Sequence, residues 1–415
     1  MTRKFCLLLA LGALFVCAAS ASTIVFTTIA VPTGTGAVYN TGSIPGAAGG
    51  AGGIGINDSL IVAGSFNPTA AQYQGFTYNA TTPGPSAFTL PLPTCSAPCT
   101  GFQQPVNGGL FAQTAPHGIN NNGTQTGLYE ASTSQLNGFI LGGSTDTSYG
   151  ALNNPTGTIS PGVPGQASNT SFFFNGIGNN GEVVGFYAEA STTHGFTYTG
   201  GTGPADTGGT FTASASSSTG GSSLYLCYDA GTATEGTSNN FEAVNASGLI
   251  AGFCKVSGTQ YGETFSGTAY DLFTFSGATQ TEFFAINDSG AIGGDYIVGG
   301  VNEAFICSAS EVASAISGGV NVNGVYTLSG CATYNASNAV TMGLTDPNAG
   351  ATITQVYLSG MNNLGDFVGV FTDNDTGTFS FVAEPAAIGT PEPGTMALFG
   401  VAGGALLLVR KRRKS

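Results

Sequence analysis

The ten residues Ala285-Ile286-Asn287-Asp288-Ser289-Gly290-Ala291-Ile292-Gly293-Gly294 carry the pattern that decides the fold. Asn and Asp tolerate a left-handed backbone and cap their own turns, and Gly supplies positive φ without steric cost. Apolar residues stand on both sides of this turn, beginning with Phe283-Phe284 upstream. The segment therefore predicts a tight β-hairpin.

The same pattern occurs six times, in blocks that begin at Gly55, Gly118, Gly176, Ala243, Ala285 and Gly360. Asn is the third residue in five blocks, Gly178 is the third residue in the other, and a closing glycine always stands seven residues later. The turn glycine is present in every block except the first, which has Leu60. Fixed spacing over six copies indicates an internal repeat, and we expect the first turn to be the least regular.

A second apolar element follows most of these blocks, as in Gly75-Phe76-Thr77-Tyr78 and Gly195-Phe196-Thr197-Tyr198. It predicts a further strand paired with the hairpin. In the fourth copy two segments fit this description, Thr264-Phe265 and Leu272-Phe273-Thr274-Phe275.

The spacing between copies predicts how many strands each contains. Successive copies begin 42 to 75 residues apart, which exceeds a solenoid rung and suits four strands with variable loops. Six such units around an axis would protect the edges of their sheets. We therefore expect an all-β body, a six-bladed β-propeller, with a β-sandwich or an irregular β-solenoid as the alternatives.

The repeat also resembles a known family. Gly-Ile-Asn-x-x-Gly-x-x-x-Gly followed by a Gly/Ala-Phe strand is similar to the HAF-type extracellular repeat, named for a His-Ala-Phe triplet. His194-Gly195-Phe196 comes closest to that triplet, and the other copies depart from it. The resemblance covers roughly residues 54 to 382 and implies an extracellular repeat body.

The charge of the body excludes one class of partner. Lys255 is the single cation between the two ends of the chain, against 21 carboxylates from Asp58 to Glu384. A body this acidic offers no basic groove for phosphates, so nucleic acid is excluded as a partner. The 66 glycines, together with abundant Thr, Ser and Asn, disfavour long helices and favour turns.

Six cysteines lie beyond the first 21 residues, and an even count in an exported chain predicts disulfides. Fifteen connectivities are open in principle. Proximity in sequence suggests the pairs Cys95 with Cys99, Cys227 with Cys254, and Cys307 with Cys331.

The first residues predict export. Arg3 and Lys4 precede an apolar stretch, and Ala19-Ser20-Ala21 has the small-x-small form that signal peptidase accepts. We expect a signal peptide over residues 1–21, cleaved to leave Ser22 as the first mature residue. Cys17 raises a lipoprotein alternative, which the bulky Phe15 and Val16 before it disfavour.

The last 26 residues predict how the exported chain is held. Residues 395–409 are apolar and uncharged, and five cations follow in Arg410, Lys411, Arg412, Arg413 and Lys414. As a helix, the apolar run is short for the roughly 30 Å of a bilayer core, and the cations would stay in the cytoplasm. We expect a short transmembrane helix that leaves residues 22–389 outside.

Pro391-Glu392-Pro393, the apolar run and the basic cluster together resemble the PEP-CTERM sorting signal. An ordinary C-terminal anchor is the alternative. The resemblance implies that Pro391, Glu392 and Pro393 form the motif of a signal over residues 390–415. It also implies an exosortase as partner, processing near the triplet, and a cell-surface or extracellular location associated with exopolysaccharide or biofilm.

The sequence predicts no catalytic residue, because no nucleophile elbow, phosphate loop or zinc-binding helix is present. His117 and His194 are interpreted as structural. Asp373-Asn374-Asp375-Thr376-Gly377 has the alternating oxygens that suit calcium, so Asp373 and Asp375 are the candidate metal ligands, with a solvated turn as the plainer interpretation. No other cofactor is predicted.

Two function classes follow. The first is a non-enzymatic structural or interaction protein of the cell surface. The second is a carbohydrate-binding or carbohydrate-cleaving β-propeller, for which pairs of carboxylates on separate loops could act as acid and base.

Overall fold

The computed structural model describes residues 24–29, 55–69, 72–82, 88–89, 111–131, 136–141, 149–151, 172–189, 192–199, 210–213, 238–256, 258–267, 270–320, 324–346, 348–375 and 378–385. Residues 26–384 form one compact unit, and residues 1–25 together with 385–415 form a second. The described part of the second unit is limited to Ile24, Val25 and Pro385.

The described chain is mostly β-strand, so the all-β prediction is confirmed. The strands are β1 (Ile24–Ile29), β2 (Gly55–Ile56), β3 (Ile61–Thr69), β4 (Gln72–Asn79), β5 (Phe88–Thr89), β6 (Phe111–Ile119), β7 (Gln125–Ala131), β8 (Leu136–Leu141), β9 (Tyr149–Ala151), β10 (Phe172–Ile177), β11 (Val183–Glu189), β12 (Thr192–Thr199), β13 (Thr210–Ala213), β14 (Ser238–Val244), β15 (Ile250–Val256), β16 (Thr259–Phe265), β17 (Tyr270–Phe275), β18 (Gln280–Ile286), β19 (Ile292–Val298), β20 (Val301–Cys307), β21 (Tyr326–Leu328), β22 (Ala332–Tyr334), β23 (Ile353–Met361), β24 (Phe367–Asp373) and β25 (Thr378–Pro385). Two short helices are α1 (Ala309–Ser317) and α2 (Ala336–Thr341).

The asparagine of the repeat builds the predicted hairpin turn with its own side chain. Asn287 Oδ1 accepts hydrogen bonds from the backbone N–H of Ser289 at 3.1 Å and of Ala291 at 3.0 Å. The same two bonds, to the residues two and four positions later, form at Asn57, Asn120, Asn245 and Asn362. Gly290 supplies the positive φ of 81° that the reversal requires.

The first turn departs from the others as its sequence predicts. Leu60 replaces the turn glycine and has a φ of 57°, the one positive φ among the described non-glycine residues. A branched side chain in this region is strained by about 1–2 kcal/mol. Leu60 also packs against the apolar cluster around Val62 and Phe76, and this contact offsets part of the strain.

Each hairpin continues into the predicted third strand, and usually a fourth. The strand groups, antiparallel wherever the pairing direction is defined, are β2-β3-β4-β5, β6-β7-β8-β9, β10-β11-β12-β13, β14-β15-β16-β17, β18-β19-β20-β22 and β23-β24-β25-β1. In the fourth copy β16 contains Thr264-Phe265 and pairs with the hairpin, while Leu272–Phe275 lies in the next strand, β17. Both segments that the sequence left open are therefore strands.

Three of the six groups share one sheet, and the other three are separate four-stranded sheets. Short parallel contacts, at Thr193 with Ser238 and at Gln260 with Gln280, connect the third, fourth and fifth groups into a 13-stranded sheet that also includes β21. The last group takes its outer strand from the other end of the chain, since β1 lies beside β25. Phe26 of β1 packs against Phe381 of β25 with ring centroids 5.1 Å apart.

The closing glycine of the repeat leaves room for another segment of backbone. A Cβ on Gly294 would lie 2.0 Å from the carbonyl oxygen of Glu282. The equivalent clash, at 1.8–2.2 Å, would occur at Gly127, Gly185, Gly252 and Gly369. The fixed spacing in the sequence therefore reflects a close approach between the first two strands of each group.

We expect Gly294→Ala to destabilise the body by about 2 kcal/mol or more, because the added carbon requires backbone displacement in a packed sheet. Thermal and urea unfolding of the purified body would measure the loss. Gly318→Ala is the matched control, since a Cβ there meets nothing closer than 3.3 Å and the φ is −69°. Equal stability of Gly294→Ala and wild type would contradict the steric explanation.

The helices are features that composition did not predict. Ser308 caps α1 in a reciprocal capping box with Glu311, a Ser-x-x-Glu signal that is present in the sequence. The segment is fastened by the disulfide between Cys307 and Cys331, as sequence proximity predicts. Cys254 is also disulfide-bonded. Its suggested partner Cys227, like Cys95 and Cys99, lies outside the described residues.

Candidate functional site

The first strand of the hairpin contains a β-bulge at the same position in five of the six repeat copies. The pairing with the second strand shifts between Pro116 and Gly118, and at the equivalent points of the third to sixth copies. The extra residue lies three positions before the turn position, which is the third residue of the repeat block. We call these five residues the bulge ring, and they are His117, Asn175, Glu242, Phe284 and Ser359. Bulges re-aim side chains and are common beside functional sites.

The bulge ring lines a cavity of about 70 Å³. The rest of the wall comes from the two residues that follow each bulge and from Gly55 and Ile56 of the first copy, so all six copies contribute. A water needs roughly 10–15 Å³ of such space, so the cavity has room for several waters or one hydrated ion. It is small for a sugar ring.

The turn asparagines lie next along the same strands and link neighbouring copies. Asn362 Nδ2 donates to the carbonyl oxygen of Asn57 at 3.1 Å, across 305 residues of sequence. Equivalent bonds of 3.2–3.4 Å run from Asn57 to Asn120, Asn120 to Gly178, Asn245 to Asn287 and Asn287 to Asn362. We call these five bonds the asparagine chain. The third copy has Gly178 in place of the asparagine, so it has no side-chain amide to donate a sixth bond.

The residues after the turn asparagines form a second polar layer. Asn363 Nδ2 lies 3.2 Å from Asp58 Oδ2 and 2.9 Å from Asp288 Oδ2, while Asn121 donates to Asp58 and Asn179 to Asp288. Both carboxylates thus accept hydrogen bonds from amides. This layer explains why that position of the repeat is Asn or Asp in five copies, with Ala246 in the fourth.

His117 has a defined tautomer. Asn175 Nδ2 donates to the carbonyl oxygen of Phe241 at 3.1 Å, so Asn175 Oδ1 is the acceptor for His117 Nδ1–H at 3.2 Å. Nε2 therefore carries the lone pair. Burial lowers the pKa of His117 to about 4, with the hydrogen bond that Nδ1–H donates to Asn175 acting in the opposite direction, and the imidazole is neutral at physiological pH.

Two atoms of the bulge ring have no hydrogen-bond partner, His117 Nε2 and Ser359 Oγ. The serine is therefore not hydrogen-bonded to the histidine, and the two do not form an activated nucleophile of the Ser-His type. Both side chains are more than nine-tenths buried. Unpartnered buried groups of this kind are uncommon and call for an explanation.

A buried carboxyl interrupts the pattern of the repeat. A phenylalanine lies opposite the closing glycine in five copies, as Phe305 does opposite Gly294, but in the fourth copy Glu263 lies opposite Gly252. Glu263 is fully buried, and its Oε1 has no hydrogen-bond partner. Burial raises its pKa well above the ordinary value, and repulsion from Glu242 adds to the shift.

Two more carboxyls are buried as a cross-strand pair, Glu282 of β18 and Asp295 of β19. Glu282 Oε1 accepts from Gln260 Nε2 at 2.6 Å and from Gln280 Nε2 at 2.7 Å. Burial nevertheless raises the pKa of Glu282 to about 8 and that of Asp295 well above its usual range. Lys255, the one cation of the body, is exposed.

The candidate calcium ligands lie at the turn between β24 and β25. Asp373 Oδ2 accepts from Asn348 Nδ2 at 2.8 Å, and Asp373 Oδ1 accepts from the backbone N–H of Asp375 at 3.0 Å. These bonds hold the turn. No group of three or more His, Cys, Asp or Glu side chains suited to a metal occurs among the described residues, and the calcium hypothesis stays a prediction.

Several predicted elements fall outside the described residues. They are the signal peptide with Ala19, Ala21 and Ser22, the triplet Pro391-Glu392-Pro393, the helix over 395–409 and the basic cluster 410–414. Across the ranges that are described, no helix has the length and hydropathy to cross a bilayer. His194 lies in β12, where it pairs with Tyr187.

The bulge ring is what the sequence analysis missed. Its members share one register, three residues before the turn position, where the sequence varies among His, Asn, Glu, Phe and Ser. The positions around it are conserved between copies as small or apolar residues. The variation of residue type at this one position of the repeat is the sequence signal that could have indicated the bulge ring.

Comparison with solved structures gives weak similarities. A Trypanosoma rangeli sialidase in complex with the inhibitor DANA is 8% identical, with a TM-score of 0.38, over 83% of this chain and 56% of that one. The same organism's sialidase with sialic acid is 6% identical, with a TM-score of 0.25, over 90% of this chain and 60% of that one. The chain thus spans less than two thirds of either. No curated protein matches.

The family comparison concerns the C-terminal tail. Residues 390–414 match the PEP-CTERM protein-sorting motif, as the residues of that tail predict. The chain therefore carries a signal for sorting by an exosortase, which implies export and a cell-surface or extracellular location.

Proposed function

We propose that this chain is an exported six-bladed β-propeller with a non-enzymatic structural or interaction role at the cell surface, in association with exopolysaccharide. The observation that carries the proposal is the sorting motif at residues 390–414. An exosortase recognises this tail and processes it near Pro391-Glu392-Pro393. The association with exopolysaccharide is what the resemblance to PEP-CTERM proteins implies.

The propeller is supported by the six strand groups and by the asparagine chain. A chain of bonds that returns from the sixth copy to the first, through Asn362 and Asn57, is expected when copies surround an axis. The placement of β1 beside β25 supports the same arrangement, because it joins the two ends of the body in one sheet. The resemblance of the repeats to HAF-type repeats, which implies an extracellular repeat body, agrees with this proposal.

The non-enzymatic role is supported by the chemistry of the cavity, where Ser359 and His117 are not hydrogen-bonded to each other. A carbohydrate-binding or carbohydrate-cleaving propeller is the other candidate. Among the described aromatic side chains whose burial is defined, none is exposed, and no observation there favours a sugar platform.

Sorting is tested by replacing Pro391, Glu392 and Pro393 with alanine in a host that has an exosortase. We expect the variant to be exported and to lose its N-terminal signal, but to keep its tail and remain with the membrane fraction. Intact mass of the wild type should show loss of the tail. Thr390→Ala is the matched control and should be processed normally.

Two outcomes would contradict the proposal. An unchanged mature mass in the triple variant would exclude sorting through the triplet. Correct processing without retention in the exopolysaccharide fraction would leave the sorting signal intact and exclude the proposed association.

A further inference from the structure

The cavity of the bulge ring presents acceptor atoms that the protein itself does not satisfy. His117 is 7% exposed and Ser359 6% exposed, yet His117 Nε2 and Ser359 Oγ have no partner. The carboxyl-bearing Glu242 lines the same cavity, and the lining contains no Lys or Arg. These three residues come from the second, fourth and sixth copies, so the site depends on the arrangement of the whole body.

The imidazole is oriented as metal ligands usually are. Its Nδ1–H donates to Asn175 Oδ1, and Asn175 is fixed in turn by its own bond to the carbonyl oxygen of Phe241. Metal-binding histidines commonly donate their second ring N–H to a fixed carbonyl or carboxylate in this way. His117 lines the cavity, and this arrangement leaves the lone pair of its buried Nε2 without a hydrogen-bond partner.

We propose that this cavity binds one divalent transition-metal ion, with His117 Nε2 as the nitrogen ligand and the Glu242 carboxylate and Ser359 hydroxyl as oxygen ligands. Water completes the coordination, for which a cavity of about 70 Å³ has room. An imidazole ligand favours ions such as Zn²⁺, Ni²⁺ or Co²⁺. Ca²⁺ and Mg²⁺ prefer sites made of oxygen alone.

The bulges explain why such a site can exist inside the repeat. Each bulge residue is unpaired in the hairpin, so its identity can change without altering the turn or the closing glycine. Phe284 occupies the same position in the fifth copy and also lines the cavity. The site is thus built by variation at one register while the scaffold is kept.

The test uses the secreted full-length protein after treatment with a chelator. Zn²⁺, Ni²⁺, Ca²⁺ and Mg²⁺ are added separately, and binding is followed by calorimetry and by thermal unfolding; Co²⁺ is followed by its visible absorption. We expect one saturable site for Zn²⁺, Ni²⁺ and Co²⁺. We expect His117→Gln to weaken binding at least tenfold and Glu242→Gln to weaken it severalfold, while His194→Gln leaves it unchanged.

Circular dichroism establishes that each variant is folded, and Glu242→Gln provides the test if His117→Gln fails to fold. The proposal is overturned if no ion binds up to about 1 mM, or if binding is the same in both variants as in the wild type. Equal binding of Ca²⁺ at the same site would also overturn it. Ca²⁺ binding that is lost in Asp373→Asn but kept in His117→Gln would belong to the turn after β24.

Discussion

We expect the free energy of unfolding of the body to fall as the pH is raised from about 6.5 to 8. Glu282 has an ordinary pKa of 4.5 when exposed and a pKa of about 8 in the folded body, because of burial. Between these values the folded state holds a proton that the unfolded state has lost. Stability therefore falls with rising pH, by about 1.4 kcal/mol per unit for each such acid.

Glu263 and Asp295 act in the same direction, since burial raises their pKa values as well. His117 acts in the opposite direction at lower pH. Its pKa of about 4, against 6.5 when exposed, makes stability rise between those values. The decrease from the acids is thus clearest above pH 6.5, where the histidine is neutral in both states.

Glu282→Gln isolates one contribution. Glutamine keeps an acceptor for Gln260 and Gln280 but carries no proton to lose, so we expect the variant to gain about 2 kcal/mol over wild type between pH 6.5 and 8. Urea unfolding at a series of pH values measures the slope. Asn122→Ala, which removes an exposed side chain that does not titrate, is the control and should keep the wild-type slope. Constant stability of the wild type across this range would refute the explanation.

Asn287→Ala should destabilise the body by about 3–4 kcal/mol. The side chain accepts from Ser289 N–H, Ser289 Oγ and Ala291 N–H, and donates to the carbonyl oxygen of Asn362. Each lost hydrogen bond costs about 1 kcal/mol, and the carbonyl left without its donor adds to the loss. Denaturant unfolding measures the difference, and Asn122→Ala, at an exposed turn position, should cost under about 0.5 kcal/mol.

Asn287→Asp separates the two roles of the asparagine. The carboxylate keeps an acceptor for the turn but has no donor for Asn362, and it places a negative charge beside that carbonyl. We expect this variant to be destabilised as well. If it is as stable as wild type, the asparagine chain contributes nothing to stability.

The sequence was sufficient for the local parts of this fold. Asn, Gly and the closing glycine recur at fixed spacing because one side chain builds the turn, one residue takes positive φ and one leaves room for a carbonyl. These causes act within about ten residues, so the pattern predicts the hairpins and even the irregular turn at Leu60.

The remaining features depend on pairing between distant residues. The register between β15 and β16 places Glu263 where the other copies have a phenylalanine. The sequence did not define this register, because two segments fitted the third strand of the fourth copy. The common cavity of His117, Glu242 and Ser359 depends on the packing of six copies, which spacing along the chain does not define. The sequence alone shows only that the residue type at the bulge position varies between copies.

The pairing of β1 with β25 has a consequence for the order of events during secretion. With export started by the signal peptide predicted over residues 1–21, we expect Phe26 to emerge early and Phe381 late. The final sheet therefore stays incomplete until nearly the whole polypeptide has been translocated. Only four residues separate the end of β25 at Pro385 from the sorting motif that begins at residue 390. Completion of the last sheet and exposure of the tail to its processing enzyme are thus nearly simultaneous, and we expect partly exported chains to be open to proteases while processed ones resist them.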